Sequence, residues 1–312
     1  MKHAPRKQPR HVAPAALFLV ALLAAAFAAN DGRAFDNRAT DARATDTHAS
    51  DAAKPFPFEP SEELVYQADF SKAIIRGLEI AEFRFTSGRA PVTENAHAPD
   101  ASATQAQNLV FKSEARARGW FHKLFGLDFH YTQESVVDPA NFLILRTTKL
   151  DEQGKRVRQS VAEFDRRADR FTWTLRNPND PNSTPRVVTG TVRDAAHDFI
   201  SAVYYLRTQR LAVGQSYDLA VSDDGRTYHV PVKITARRAL SSVVGKVQAL
   251  RLEVDLFGEG HLVDDRRGSM TVWITDDARH LPVRSHIETD FGTLDVKLKQ
   301  VTGGIAGATR RR

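Results

Sequence analysis

From about Glu62 to Val301 the apolar residues of this chain recur at every second position, and that period limits the fold more than any other feature. In LVYQADF, Leu64, Tyr66, Ala68 and Phe70 share one face while Gln67 and Asp69 share the other. In ALRLEVDLF, Leu250, Leu252, Val254 and Leu256 alternate with Arg251, Glu253 and Asp255. TLDVKLKQ repeats the pattern with Leu294, Val296 and Leu298. Successive side chains leave a strand on opposite faces, so each segment has one buried and one wet face, as in antiparallel sheets. Asp and Gly residues stand between alternating runs in KLDEQGKRV (149–157), FDRRADRF (164–171) and VSDDGRTYHV (221–230), where hairpins turn. RNPNDPNSTPR (176–186) reads as a loop, and the polar stretch at 88–107 as an extended loop or an insertion. No break in composition marks a second domain. The expectation is a mainly β chain with a single domain over 62–301. It would be a curved antiparallel sheet, shaped as an open half-barrel or a sandwich.

One segment departs from the period of two. In DAAHDFISAVYYLRTQRLAVG (194–214), Phe199, Ile200, Val203 and Leu206 follow helical spacing. Asp198 stands at the N-cap position and Gly214 follows soon after, so a helix is expected near 198–210. A sheet that does not close on itself needs a cover for its apolar face, and one central helix is the element available to supply it.

The flanks read differently. Lys2, Arg6, Lys7 and Arg10 precede the apolar run VAPAALFLVALLAAAFAA, and Ala26 and Ala28 fit a signal-peptidase site. Residues 1–28 are therefore expected to be a signal peptide cleaved after Ala28, giving a periplasmic or otherwise exported protein. The alternative, an uncleaved anchor, is weakened by the alanine-rich run and its interruption at Pro14. Residues 29–61, with the repeat RAFDN RATDA RATDT HASDA, are expected to be a disordered low-complexity spacer, and 302–312 a flexible basic tail. The chain has no cysteine, which excludes disulfides, thiolate metal sites, a cysteine nucleophile and a lipoprotein anchor. The net charge of +6 comes from the ends: without 1–28 and the final RRR, 37 basic residues face 38 acidic ones. No basic stripe remains for phosphates, which argues against a nucleic-acid partner.

Candidate chemistry is sparse. His197 and Ser201 are four apart, but no oxyanion-hole elbow of the G-x-S-x-G type occurs, and Asp198 reads as a cap. The Asp pairs at 223–224, 264–265 and 276–277 read as turn residues, and no histidine spacing matches a zinc motif. No catalytic residue, metal or cofactor is expected. Trp120, Phe121, Phe125, Tyr131, Trp173, Tyr204, Tyr205 and Trp273 would gather if helix and sheet pack together. The plain reading of that gathering is a core and the sharper one a ligand pocket. Arg207 reads as a structural arginine, with an anion contact as the alternative.

At the helix the sequence resembles a known family. HDFISAVYYLR (197–207) followed by LAVG (211–214), ARGWFHKLFGLDFHYTQESVV upstream, AEFD (162–165) and MTVWITDDARHLPVR (270–284) resemble, in order, the segments of the exported bacterial family DUF3108, a domain of unknown function. The resemblance covers about 62–300 and implies a β-rich exported protein similar to lipoprotein-carrier-like open barrels. It carries over no catalytic residue. The functional expectation is a non-enzymatic envelope protein that binds or carries a lipid or glycolipid in the concavity of its sheet. Trp120 and Phe121 would lie at the rim, with Tyr204, Tyr205 and Trp273 deeper, and Arg207 is a further candidate ligand contact. The alternatives are a structural envelope protein with a closed core, working with other envelope proteins, and a periplasmic hydrolase.

Overall fold

The computed structural model describes residues 56–90, 107–119, 128–192, 196–264 and 267–303. The expected signal peptide, most of the spacer, residues 91–106 of the long polar stretch, Trp120, Phe121 and the last nine residues lie outside them.

The described chain forms fourteen strands and one helix. The first eight strands are β1 (Glu63–Lys72), β2 (Ile75–Ala90), β3 (Asn108–Ala117), β4 (Phe129–Val137), β5 (Ile144–Gln153), β6 (Arg156–Asp165), β7 (Arg170–Arg176) and β8 (Arg186–Thr191). The helix α1 (Phe199–Thr208) follows, and then β9 (Ser216–Asp223), β10 (Arg226–Ser242), β11 (Gly245–Val254), β12 (Gly268–Thr275), β13 (Pro282–Thr289) and β14 (Gly292–Thr302). All fourteen strands join one sheet in the order β8-β7-β6-β5-β4-β3-β2-β1-β14-β13-β12-β11-β10-β9. Every named pair is antiparallel, from Glu63↔Thr302 and Ser71↔Thr293 at the centre to Arg226↔Asp223 near one edge.

This order means that the chain starts in the middle of the sheet, meanders to the β8 edge, crosses to the β9 edge and meanders back. The crossing carries α1. The sheet curls enough for its two arms to meet. Gly225, in the turn after β9, lies so close to β8 that a Cβ there would sit 3.2 Å from Val188. Edges β8 and β9 do not pair with each other, so the barrel is open. The expected curved antiparallel sheet with one covering helix is the fold observed, in its open-barrel form.

The alternation anticipated from the sequence sets the faces. Along β1, Leu64, Tyr66, Ala68 and Phe70 are buried inward, and the residues between them are half-exposed. On the convex face, cross-strand ion pairs such as Arg84–Glu63 at 2.8 Å and Lys297–Asp69 at 3.1 Å tile the surface. Such exposed pairs each contribute at most about 1 kcal/mol.

The register also defines two rims. Lys72, Gly292, Thr289, Gly268 and Val254 lie at one, while Glu63, Thr302, Asn108, Val137 and Gly245 lie at the other. Helix α1 belongs to the second rim. Its N-cap is Asp198, whose carboxylate accepts the Ser201 N–H at 2.9 Å while the Ser201 hydroxyl accepts the Asp198 N–H at 2.8 Å. That reciprocal capping box satisfies two otherwise orphaned donors. The helix ends at Thr208, earlier than the expected 210. Gln209 turns extended, and its N–H is held by the Leu206 carbonyl at 3.1 Å, so no glycine is needed there. Gly214, with φ of +92°, serves the turn into β9 instead.

The folded part begins before the expected boundary at Glu62. Phe56 stacks on Phe58 with centroids 5.2 Å apart, and Phe58 is buried against Phe111, Phe142 and Tyr204. Pro57 and Pro60 stiffen this segment, which lowers the entropy lost when its aromatic rings dock. With Val137, Ile144, Phe164 and Ile200, these rings plug the helix rim.

Candidate functional site

Above the helix, toward the other rim, the barrel is hollow. The inward faces of β9–β14 and β1–β4 border a cavity of about 150 Å³. Ala202 and Leu206 of α1 form its floor, Val232, Leu252, Val272 and Ile274 one wall, and Phe83 with Tyr131 the facing wall. Leu256 and Leu262, from the connection between β11 and β12, reach it from the rim opposite the helix. Two phenols of the wall are hydrogen-bonded within the protein: the Tyr66 hydroxyl donates to the Pro282 carbonyl at 2.9 Å and that of Tyr131 to Gln133 Oε1 at 2.8 Å. Burial pushes the pKa of both phenols upward, Tyr66 with little relief from Arg207 and Tyr131 with further help from Asp223 and Asp198, so both stay neutral. An apolar void of this size stays dry and accepts a small apolar molecule. Left empty, it forgoes about 3–4 kcal/mol of packing at about 24 cal/mol per Å³.

The residues expected to line a pocket are divided by the structure. Tyr204 and Arg207 border the cavity. The Tyr204 ring mostly serves the plug, stacked on Phe111 at 4.1 Å. The Arg207 side chain is fully buried and used within the protein: Nη1 and Nη2 donate to the two Glu62 carboxylate oxygens at 2.5 and 3.0 Å, and Nε to the Arg279 carbonyl at 3.2 Å. Its guanidinium also lies over the Phe58 and Tyr204 rings, 5.5 and 5.2 Å from their centroids. Tyr205 points away from the cavity and stacks on His197 at 4.3 Å. Trp273 has the parity opposite to Met270, Val272 and Ile274, which line the cavity. It lies on the outer face between the guanidinium groups of Arg238 and Arg284, 4.9 and 5.4 Å from its centroid.

The other half of the interior is polar, and sequence reasoning missed it. On β4 and β5 the buried inward residues include Gln133, Ser135, Thr147, Lys149 and Asp151. A register shift between Val136 and Val137 against β5 resets the parity, so Thr147 and Lys149 point in while Leu150 does not. These residues meet the far arm. Lys149 donates to Asp223 at the end of β9, with Asp224 at 3.9 Å, and the Lys149–Asp223 pair is nearly free of solvent. The Asp198 carboxylate, besides capping the helix, accepts the hydroxyl of Ser135 and, at 2.5 Å, that of Thr147. His197 pairs with β9 through its backbone, donating to the Ala220 carbonyl at 2.8 Å and accepting from the Ser222 N–H at 2.6 Å. Side chains and one short segment therefore fasten the two arms where no strand pairing does.

Burial and the neighbouring carboxylates raise the Asp223 carboxyl to about 7, against the opposing pull of Lys149. Burial lowers the His197 ring to about 4, more than Asp198 can offset, so it is neutral. The space beside Lys149 and Asp223 is about 10 Å³, room for one water and no substrate. The Asp223–Asp224 pair was expected to serve a turn. Asp224 does, at φ of +44°, but Asp223 is part of this buried fastening. Asp277 does act as a turn residue, accepting the Arg279 N–H at 3.0 Å. Ser201 is spent on the capping box, so it is not poised as a nucleophile.

An antiparallel barrel left open along one seam, plugged at one rim and hollow toward the other, defines the class: a barrel-like protein with a small apolar interior. Residues 83–299 match the family described as "Protein of unknown function (DUF3108)", and the chain belongs to that family. No curated protein matches the sequence. Among solved structures, it is similar to a β-barrel-like protein of DUF1849 from Brucella abortus, at 10% identity and a TM-score of 0.49, over 79% of this chain and 98% of that one. It is also similar to a protein described as exported, with a YmcC-like fold, from Bacteroides fragilis, at 6% identity and a TM-score of 0.31, over 80% of this chain and 100% of that one. A protein described as a lipoprotein, from Parabacteroides distasonis, matches at 6% identity and a TM-score of 0.30, over 79% and 97% of the two chains.

Proposed function

We propose that this protein is an exported, non-enzymatic envelope protein that shelters the apolar part of an amphiphile, a lipid or glycolipid, inside its barrel. The observation that supports this most directly is the cavity itself: about 150 Å³ walled by carbon, reaching the rim opposite the helix, in a domain otherwise packed with large side chains. Filling it with a hydrocarbon chain would recover contacts the empty fold forgoes. Export is supported by the basic, apolar and small-residue succession over Lys2–Ala28.

The test is native mass spectrometry and organic extraction of protein purified from its own envelope, with an environment-sensitive apolar dye as a second probe. Ala115→Phe places a ring into the cavity from β3. The expected result is a co-purifying lipid and dye binding by the wild type, both reduced at least tenfold in the variant, in a mature chain starting at Ala29. If the wild type carries no lipid and binds no dye, the interior is only a core, and the scaffolding reading replaces this one.

A further inference from the structure

We infer that the turn between β1 and β2 is a membrane-docking tip that seats the rim of the barrel opposite α1 on an anionic lipid surface. Ile74, at its apex, is 98% exposed and Ile75 is 37% exposed. Two-residue hairpin turns normally hold Asn, Gly or Asp, because the backbone there enters left-handed conformations. This turn instead has Ala73 at φ of +51° followed by an isoleucine. The chain therefore accepts a strained alanine and a bare β-branched side chain at one point of its surface. Water offers no compensation for either, whereas a lipid interface compensates the second.

The charges around the tip fit a lipid headgroup layer. Lys72 and Arg76, both exposed, stand on either side of the two isoleucines. Between this turn and the β13–β14 turn runs an open cleft of about 470 Å³, bordered by Lys72, Arg76 and the hydroxyl residues Ser71, Thr289 and Thr293, with Asp290 as the single acid. Phe291, half-buried on the neighbouring turn, lies under the Lys72 ammonium at 5.7 Å. Aliphatic side chains beyond a ring of cations and hydroxyls match the order of layers met when a protein approaches an anionic bilayer: phosphate first, then acyl chain.

The tip is rigid and well placed. The Ser71 hydroxyl accepts the Gly77 N–H at 2.9 Å across the base of the hairpin. By register, Lys72 lies level with Gly292, Gly268 and Val254, so the tip stands on the rim opposite the one plugged by α1. The β10–β11 turn also exposes valines, Val243 at 54% and Val244 at 36%, but it belongs to the opposite rim. The two turns therefore make an internal comparison.

The natural chain has no cysteine, so Ile74→Cys and Val243→Cys each accept one environment-sensitive fluorophore without background. Vesicles of phosphatidylglycerol and phosphatidylcholine are added to the mature protein. The label at position 74 should shift to the blue and brighten, while the label at 243 stays unchanged. Pure phosphatidylcholine vesicles, or high salt, should weaken the effect. In sedimentation with the same vesicles, Ile74→Asp combined with Ile75→Asp should lose about tenfold or more in binding, and Lys72→Glu with Arg76→Glu a comparable amount. Both tip variants should keep the wild-type dye binding and stay within a few degrees of its melting temperature, because all four side chains are exposed and none lines the cavity.

No response at 74, a stronger response at 243, or full binding by the Ile74/Ile75 variant overturns the inference while leaving the carrier reading intact. A photoactivatable group at 74 that labels a protein and no lipid in intact envelopes also overturns it. Loss of dye binding in Ala115→Phe with unchanged vesicle binding shows that the two properties are separate, and failure of dye binding in the wild type removes the carrier reading alone.

Discussion

The Glu62–Arg207 pair allows the sharpest energetic prediction, because both side chains are fully buried and the contact is bidentate. Glu62→Gln keeps the shape and removes the charge. The guanidinium would then remain in the interior with no counter-charge, facing one amide oxygen and one donor NH2 besides the Pro57 and Arg279 carbonyls, each at 3.2 Å, and the faces of Phe58 and Tyr204. Breaking a buried pair from one side costs about 3–5 kcal/mol, since the remaining charge loses its compensation. In a domain of this size each kcal/mol moves the midpoint by about 2–4 °C, so the melting temperature should fall by about 6–20 °C. Arg207→Met should cost a similar amount, while Glu62→Leu with Arg207→Met should recover most of the loss, because apolar groups of like volume replace both charges. Urea unfolding of the wild type, Glu62→Leu, Arg207→Met and that double variant closes a cycle and should give a coupling of at least about 2 kcal/mol. If Glu62→Gln stays within 1 kcal/mol of the wild type while Arg207→Met abolishes ligand binding, Arg207 contacts a headgroup and the structural assignment is wrong.

Two further expectations concern the seam. Asp223 has a folded pKa raised to about 7, so its contribution is fully present below the unfolded carboxylate range and is lost as pH rises through about 7. Urea unfolding should therefore show the wild type losing roughly 1 kcal/mol relative to Asp223→Asn between about pH 6 and pH 8. His197 works the other way: its pKa is lowered to about 4, so its contribution is present above about 6.5 and fades as pH falls toward 4. A wild-type stability that rises from pH 6 to 8 relative to Asp223→Asn contradicts the seam assignment. Asp198→Ala removes the helix cap and the acceptor shared by Ser135 and Thr147, and should cost about 2–4 kcal/mol by denaturant unfolding; a cost under 1 kcal/mol would mean that the seam is not fastened there.

Strands, hairpins and the helix were legible because on β1 and β14 the wet face and the buried face obey one parity, and because Asp198 carries a capping signal within its own neighbourhood. The position of Trp273 was legible in principle, since Met270, Val272 and Ile274 already claim the inward parity. Tyr204 and Tyr205 could likewise not both face a cavity, being about 100° apart around a helix of 3.6 residues per turn. The polar seam was not legible. Lys149 and Asp223 are 74 positions apart, each looks like an ordinary surface charge in its own strand, and only the curl of the sheet brings them together. Parity on β5 misleads as well, because a bulge resets it. The plug was hidden for a related reason: Phe56 and Phe58 lie in a proline-rich stretch whose composition reads as linker.

The pairing of β1 with β14 has a consequence for how the sheet is completed. Every other strand pair joins near neighbours along the chain, whereas Glu63↔Thr302 and Ser71↔Thr293 close a circuit of more than two hundred residues. Closing such a loop carries an entropic cost that the local hairpins avoid, so each meander can assemble early while the central ladder waits. During synthesis β1 emerges first among the strands and β14 last. Until residues 292–302 are available, β1 keeps a full edge of unpaired N–H and C=O groups, the kind of edge that recruits foreign strands. The molecule therefore gains its central continuity in a single late step, and the interval before that step is when it is most exposed to mispairing and most in need of a chaperone's protection.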